Sequence, residues 1–515
     1  MIVRPKLRAL SVCILFALCF TLFSARLVQL QVCRHDYYLK LAADAHVGKE
    51  TVPAERGMIQ DINGITLAEN EPLCSVVADG PLILKIGQDP EELAAELAKP
   101  LEMKKADLVA KLTTQRHAVF LKKISPMVVK ELMADRERRL ALDKRLKLPS
   151  LRGVSFEPDP ARIYANGSML SHVIGFTNEK HRGVQGIESS MDDYLTGYDG
   201  FRYIEHDRRG KEIVLYRGLE RAPRNGSNVR LTVDLGLQNI VETALSEACA
   251  EYRPEMAVVI LMRPKTGEIL ALANRPTFDL NDLRNNPAQF SKLSAEALKN
   301  HAVIDAIEPG STFKIVTASA ALNERNVSPD TMIFCENGRF NFAGKTLHDH
   351  GPGYAELSVE DILMHSSNIG AAKLALGLGD QKFYQYIRSF GFGERSGVAL
   401  PGEIRGLLRP TNEWHGTDIT RIAMGQSVGV TPLQTITAMA AIANGGHLMM
   451  PQIVHEISDE DGSVITRFPP MEVRQVIRSE TAKQVCNALK KVTSDKGTAK
   501  AVVVPGFTVA GKTGT

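Results

Sequence analysis

At 515 residues the chain is too long for a single core, and two or three domains are expected. A net charge of +3, with 23% charged and 44% hydrophobic residues, is far from the basic balance of a nucleic-acid binder, so no nucleic-acid partner is expected. No low-complexity tract interrupts the sequence.

The N-terminal "MIVRPKLR" carries Arg4, Lys6 and Arg8 ahead of seventeen uncharged residues, "ALSVCILFALCFTLFSA", which end before Arg26. As a helix these span about 25 Å, the short end of a membrane crossing. Basic residues ahead of the segment place the N-terminus in the cytoplasm and the remainder outside. A cleaved signal peptide is the rival reading. Cleavage wants small residues one and three before the cut, and "FSA" puts Phe23 at the outer position. Residues 1–8 are therefore read as a cytoplasmic tail and 9–25 as an uncleaved transmembrane anchor.

A helical stalk, "QVCRHDYYLKLAADA", is expected next. From "PAERGMIQDINGITLAEN" short alternating strands begin, with Asn63-Gly64 as a turn signal. Residues 90–145 read as helices whose charges lie on solvated faces. In "YRGLERAPRNGSNVRLTVD", Arg217, Arg221, Arg224 and Arg230 crowd a Pro/Gly/Asn-rich stretch that reads as a solvated linker. It separates a membrane-proximal domain, 26–228, from a second domain, 229–515. Seven cysteines show neither CxxC nor zinc spacing and read as small buried hydrophobes; no metal or cofactor is expected.

In the second domain, "LTVDLGLQNIVETALSEACAEY" starts as a strand and turns helical at Asp234 or Leu235. "MAVVILMRPKTGEILALANRP" is two apolar β-runs about a turn, so the Lys265–Gly267 tripeptide is a hairpin loop rather than a site. In "AIEPGSTFKIVTASAALNE", Pro309-Gly310 breaks the chain and a helix starts around Ser311. Ser311 and Lys314 then share one helix face, where a lysine kept neutral by a dry pocket or a nearby cation can take the serine's proton. In "DILMHSSNIGAAKLALGLG", Ser366 and Asn368 stand at the head of, or within, a further helix. A β-run, "AVVVPGFTV", leads into the terminal "AGKTGT", whose Lys512, Thr513, Gly514 and Thr515 would lie on a strand edge able to pair an extended peptide and hold its carboxylate. "HDH" at His348–His350 reads as a polar loop, since no further ligand cluster lies nearby.

Ser-x-x-Lys, Ser-x-Asn and Lys-Thr-Gly, in this order, are a known signature of penicillin-binding proteins and serine β-lactamases. The chain resembles a class B, monofunctional penicillin-binding protein. "RGMIQDINGITLA", "RIYANGSMLSHVIGF" and "GVQGIESSMDDYLTGYDG" are similar to that family's membrane-proximal segments, and "GQSVGVTPLQTITAMAAIANGG" to the stretch between its second and third motifs. The stalk, with "HDYYLKLAADA", resembles the division-specific branch more than the elongation one.

The resemblance implies an α+β architecture: one N-terminal transmembrane helix, an elongated β-rich membrane-proximal domain, and a β-lactamase-like domain with a central antiparallel sheet flanked by helices. It implies a D,D-transpeptidase of the bacterial cytoplasmic membrane, acting outside the cytoplasm on peptidoglycan stem peptides ending in D-Ala-D-Ala and trapped by β-lactams. Ser311 would be the nucleophile, Lys314 its base, and Ser366 a proton relay. Asn368, Lys512, Thr513, Gly514 and Thr515 would bind the peptide, with the N–H groups of Ser311 and Thr515 as the oxyanion hole. A polytopic glycosyltransferase and other division proteins are the implied partners. In the family, further strands and a closing helix follow the Lys-Thr-Gly strand; here Thr515 is the last residue, so the reading is of a truncated transpeptidase domain.

Three alternatives change the outcome. Water as acceptor would give a D,D-carboxypeptidase or β-lactamase, which the anchor and the long membrane-proximal domain disfavour. A β-lactam sensor should carry a cytoplasmic signalling domain, and only eight residues precede the anchor. A non-catalytic scaffold gains weight from the truncation alone.

Overall fold

The computed structural model describes residues 5–38, 47–143, 145–205, 220–351 and 353–514. By its contacts the chain divides into two compact units, residues 1–55 with 197–225 and residues 56–196 with 226–515.

In the first unit, the Pro5–Val28 helix passes into a π-helical turn, Gln29–Cys33. Its stretch Leu10–Cys33 is apolar and unburied, long enough to cross a membrane. The stalk is helical to Tyr38, and the rest of that expectation lies outside the described residues. Three antiparallel strands, Val47–Val52, Gly200–Glu205 and Glu220–Arg221, form a small sheet.

The second unit contains a six-stranded sheet, ordered Val464–Arg467, Val454–Ser458, Asn228–Leu231, Ile59–Gln60, Thr66–Glu71 and Ala161–Tyr164. Strands from both sides of position 228 thus share one hydrogen-bonded layer. Ile59, Leu67, Val229, Leu231 and Ile457 alternate inward from it and are fully buried. Beside it, Arg56 and Arg162 both reach the buried Glu188 at 2.6 Å, and Arg56 also reaches Asp192 at 2.7 Å. These are the arginines of "ERGM" and "ARIY" and the glutamate of "GIESS". Their charges neutralise one another in a site too dry for any of them alone.

The linker expectation is corrected. Arg221 pairs in the strand ladder, Arg224 exchanges two backbone bonds with Tyr198, and Arg230 sits within the six-stranded sheet, 2.9 Å from Glu456. A Cβ on Gly226 would lie 1.8 Å from the Leu195 carbonyl oxygen. Gly226 there serves close backbone approach rather than flexibility. Arg217 lies outside the described residues. Of the stretch 90–145 expected to be helical, Pro90–Ala98, Lys105–Leu112 and Pro126–Leu142 are helices, and the strand Val119–Ile124 lies between the last two. Of the cysteines, Cys335 alone is buried, so the general burial reading is also corrected.

Asp234 caps the Leu235–Tyr252 helix by accepting from Leu237 N–H. Ala257–Met262 and Ile269–Arg275 form the expected hairpin. A second core gathers the Lys314–Asn323, Val359–Met364, Asn368–Leu378 and Ser479–Val492 helices around Phe313, Leu363, Phe383 and Leu489.

Candidate active site

Ser311 is held by its backbone before its side chain is considered. A 3₁₀ turn, Gly310–Phe313, leads directly into the Lys314–Asn323 helix. Gly310 takes φ +53° and donates to the Gly425 carbonyl at 3.0 Å. Thr317 Oγ1 donates to the Ala423 carbonyl at 2.8 Å, one turn further along. The 423–425 stretch therefore clamps the turn that carries the serine.

Ser366 is presented by strain. It has φ +58°, in the left-handed region that a side chain ordinarily avoids. It follows His365, the C-cap of the Val359–Met364 helix, and Ser367 starts the next helix by accepting from Gly370 N–H at 2.9 Å. The middle serine of Ser-Ser-Asn is thus a helix cap, and the flanking two are left to face Lys314.

Lys314 lies at the centre and is 1% exposed. Its Nζ lies within hydrogen-bond distance of four oxygens, Ser311 Oγ at 3.2 Å, Ser366 Oγ at 3.2 Å, the Ser366 carbonyl at 2.5 Å and Asn368 Oδ1 at 2.7 Å. Burial, then the charge of Lys512, push its ammonium down to about 7, against the opposing pull of Asp349. Lys512 Nζ stands on the other side of Ser366, 3.0 Å from its Oγ, and burial lowers it to about 8. Ser366 Oγ therefore joins two lysines. Such an arrangement can pass a proton between a serine on one side and a leaving group on the other.

The terminal motif reaches the site without the expected strand. Residues 500–514 carry no strand assignment, and Val503 and Phe507 are more than 70% exposed. An apolar run becomes a strand only where a neighbour accepts and donates along its backbone. Here the bonds run locally, Val502 N–H to Ala499 and Phe507 N–H to Val504, with Gly511 N–H reaching Leu489 at 3.3 Å. Thr493 Oγ1 donates to the Val509 carbonyl at 2.7 Å, so the C-terminal end of the Ser479–Val492 helix positions Lys512 instead of a sheet edge. Thr513 Oγ1 bonds Thr498 Oγ1 at 3.0 Å, and a Cβ on Gly514 would come 3.1 Å from Thr312 Cγ2, beside the nucleophile's turn. Thr515, with the contacts expected of it, lies outside the described residues.

One residue of the site was not read from the sequence. Asp349, in the "HDH" loop, accepts from the backbone N–H of Asn368 and Ile369 and from Ser367 Oγ. Its neighbour His348 ends the Lys345–His348 strand and accepts from Asn368 Nδ2 at 3.0 Å. Among the described residues no group of three His, Cys, Asp or Glu is gathered as a metal would require.

Residues 257–515 match the penicillin-binding protein transpeptidase domain family, and residues 51–231 the penicillin-binding protein dimerisation domain family. Stage V sporulation protein D of Bacillus subtilis is 33% identical over 518 residues, covering 100% of this chain and 76% of that protein. The peptidoglycan D,D-transpeptidase FtsI of Escherichia coli K12 is 29% identical over 508 residues, covering 98% and 80%. The solved structure of penicillin-binding protein 3 from Mycobacterium tuberculosis, complexed with aztreonam, superposes with a TM-score of 0.66 at 26% identity, covering 90% of this chain and 82% of that one. With this family, the apolar N-terminal helix is a single-pass membrane anchor, and the catalytic domain lies on the outer side of the cytoplasmic membrane. The chain belongs to the class B, monofunctional penicillin-binding proteins, the β-lactam-sensitive serine D,D-transpeptidases of peptidoglycan synthesis, and resembles their division-specific branch.

Proposed function

We propose that Ser311 is the nucleophile of this transpeptidase and that Lys314 is its base. Neutral Lys314 takes the Ser311 proton as Oγ bonds to the penultimate D-Ala carbonyl carbon. The N–H of Ser311, with that of Thr515, receives the oxyanion. Ser366 hands a proton to the departing amine of the terminal D-Ala as the peptide bond breaks, and takes one in its place from the ammonium of Lys314. An amine of a neighbouring stem then attacks the ester and gives up its proton through Ser366 and Lys314 to Ser311 Oγ as the bond to that oxygen breaks. Asn368 would hold the substrate backbone. Lys512, Thr513, Gly514 and Thr515 would hold its terminal carboxylate, for which the ammonium of Lys512 is the charge partner.

The observation that carries this reading is Lys314 itself: a fully buried lysine within hydrogen-bond distance of both serines. A labelled penicillin added to the full chain in detergent, beside Ser311→Ala, tests it by mass spectrometry. The expected adduct maps to Ser311 and disappears in the variant; an adduct on any other residue overturns the assignment.

On the same footing we place the membrane-proximal role in residues 26–228 and catalysis in 229–515, in septal wall synthesis. A polytopic glycosyltransferase and other division proteins are the proposed partners. The support is the anchor, whose Leu15, Phe16, Phe20 and Phe23 are all exposed and apolar.

A further inference from the structure

We infer that Asp349 is a positioning residue for acylation: its carboxylate locks the Ser366–Asn368 turn against Lys314 and supplies the negative charge that balances that lysine's surroundings. The inference rests on the reading of Ser311 and Lys314 given above.

The geometry goes beyond helix capping. Oδ1 accepts from Asn368 N–H at 2.5 Å and from Ile369 N–H at 3.0 Å, while Oδ2 accepts from Ser367 Oγ at 2.8 Å. These N–H groups belong to the first turn of the Asn368–Leu378 helix, where an anion is favoured. Yet that helix already has a local cap, since Ser367 Oγ accepts from Gly370 N–H. A second, charged cap brought from another element adds orientation rather than helix formation.

The orientation is passed on. Asn368 is held at its backbone N–H by Asp349 and at its side-chain Nδ2 by the His348 carbonyl. Both constraints leave Oδ1 directed at Lys314 Nζ, 2.7 Å away. Asp349 is itself anchored by its own N–H, which donates to the Gly338 carbonyl at 3.3 Å. A continuous set of bonds therefore runs from Asp349 through Asn368 to Lys314 and on to Ser311.

The charge acts in the same place. Among the described residues, two ionic groups act on Lys314, Lys512 from the terminal segment and Asp349 from the loop before the Glu356–Ser358 strand. Lys512 and burial lower Lys314, whereas Asp349 raises it. On the far side of the carboxylate, Lys373 is occupied by Glu336 at 2.6 Å, and the thiol of Cys335 is pushed up mainly by burial. Asp349 is thus the anion that keeps Lys314 from losing its proton at still lower pH.

The test is the pH dependence of acylation by a labelled penicillin, using the full chain in detergent with Asp349→Asn, Asp349→Glu and Ser311→Ala. Asp349→Asn is expected to slow acylation on the order of ten- to a hundredfold, because the reacting groups lose their alignment. Its acidic limb should move to lower pH by about half a unit to one unit, since the charge that raised Lys314 is gone. Asp349→Glu, which keeps the charge but shifts it by a methylene, should slow acylation without moving the limb.

Wild-type rate and limb in Asp349→Asn would overturn the inference, and so would a slower rate with an unmoved limb, the mark of a cap alone. If Asp349→Asn does not fold, a wild-type rate in Asp349→Glu overturns it instead. Ser311→Ala separates the two levels. Persistence of the adduct there removes the site reading, whereas its loss beside a wild-type Asp349→Asn removes this inference only.

Discussion

Buried Lys314 and half-buried Lys512 share one serine hydroxyl, and their protonation sets when the site can work. Lys314, brought down to about 7, is a free base above that pH; Lys512, brought down to about 8, keeps its charge below it. Proton abstraction from Ser311 needs the first neutral, and holding a carboxylate needs the second charged. Acylation should therefore follow a bell-shaped pH profile with limbs near these two values, each belonging to the coupled pair. Lys512→Gln removes a cation that depresses Lys314, so the acidic limb should move up by about half a unit or more. Stopped-flow acylation between pH 5.5 and about 9.5 would measure it; an acidic limb that stays put would refute the coupling. The same depression has a stability sign. A lysine whose folded value lies below its unfolded one disfavours the fold while protonated, so this contribution improves as pH rises above about 7.

At the scale of elements, the nucleophile's position depends on how closely two turns approach. A Cβ at Gly425 would lie 2.1 Å from the Gly310 carbonyl oxygen, and Gly425 has φ +79°. Neither the contact nor the conformation admits a side chain without moving the turn that carries Ser311. Gly425→Ala should cost about 2–4 kcal/mol, from overpacking together with left-handed strain. Chemical denaturation alongside penicillin labelling checks this. Wild-type stability and labelling together would mean that the clamp is not required. The junction of the Val359–Met364 and Asn368–Leu378 helices shows which parts of an element can be read locally. Ser367 as a cap follows from a serine standing before an apolar helix. The left-handed Ser366 and the anion beside the turn do not, because the one is a backbone conformation no residue pattern marks and the other comes from a loop nineteen residues upstream of Asn368.

For the whole molecule, strands from the two sides of position 228 interleave in one sheet, so the stretches that match the dimerisation and transpeptidase families share a core. Val229 and Ile59 sit in it together with Leu272 and Leu433. The anchor is different, with no burial along its apolar length. Its exposed face is expected to meet lipid and the proposed glycosyltransferase partner. Exchanging residues 1–38 for an unrelated single-pass anchor should abolish co-purification with that partner while leaving penicillin labelling intact. Undiminished co-purification would place the contact elsewhere.

The sequence by itself determined the anchor, the hairpin that disqualifies Lys265–Gly267, a helix start around Ser311 and another near Ser366–Asn368, and the order of the three motifs. Each depends on neighbours within a turn or two: charge beside an apolar run, a Pro-Gly break, a capping side chain. Only the tertiary structure decided that Asn228–Leu231, with Arg230 in it, is sheet rather than linker, since that required strands from residues 59–60 and 454–458 as partners. It also decided that the last fifteen described residues lie unpaired against a helix, and that Asp349 belongs to the site. Pairing, charge balance and desolvation are properties of groups brought together from distant positions, and no local pattern in the chain records them.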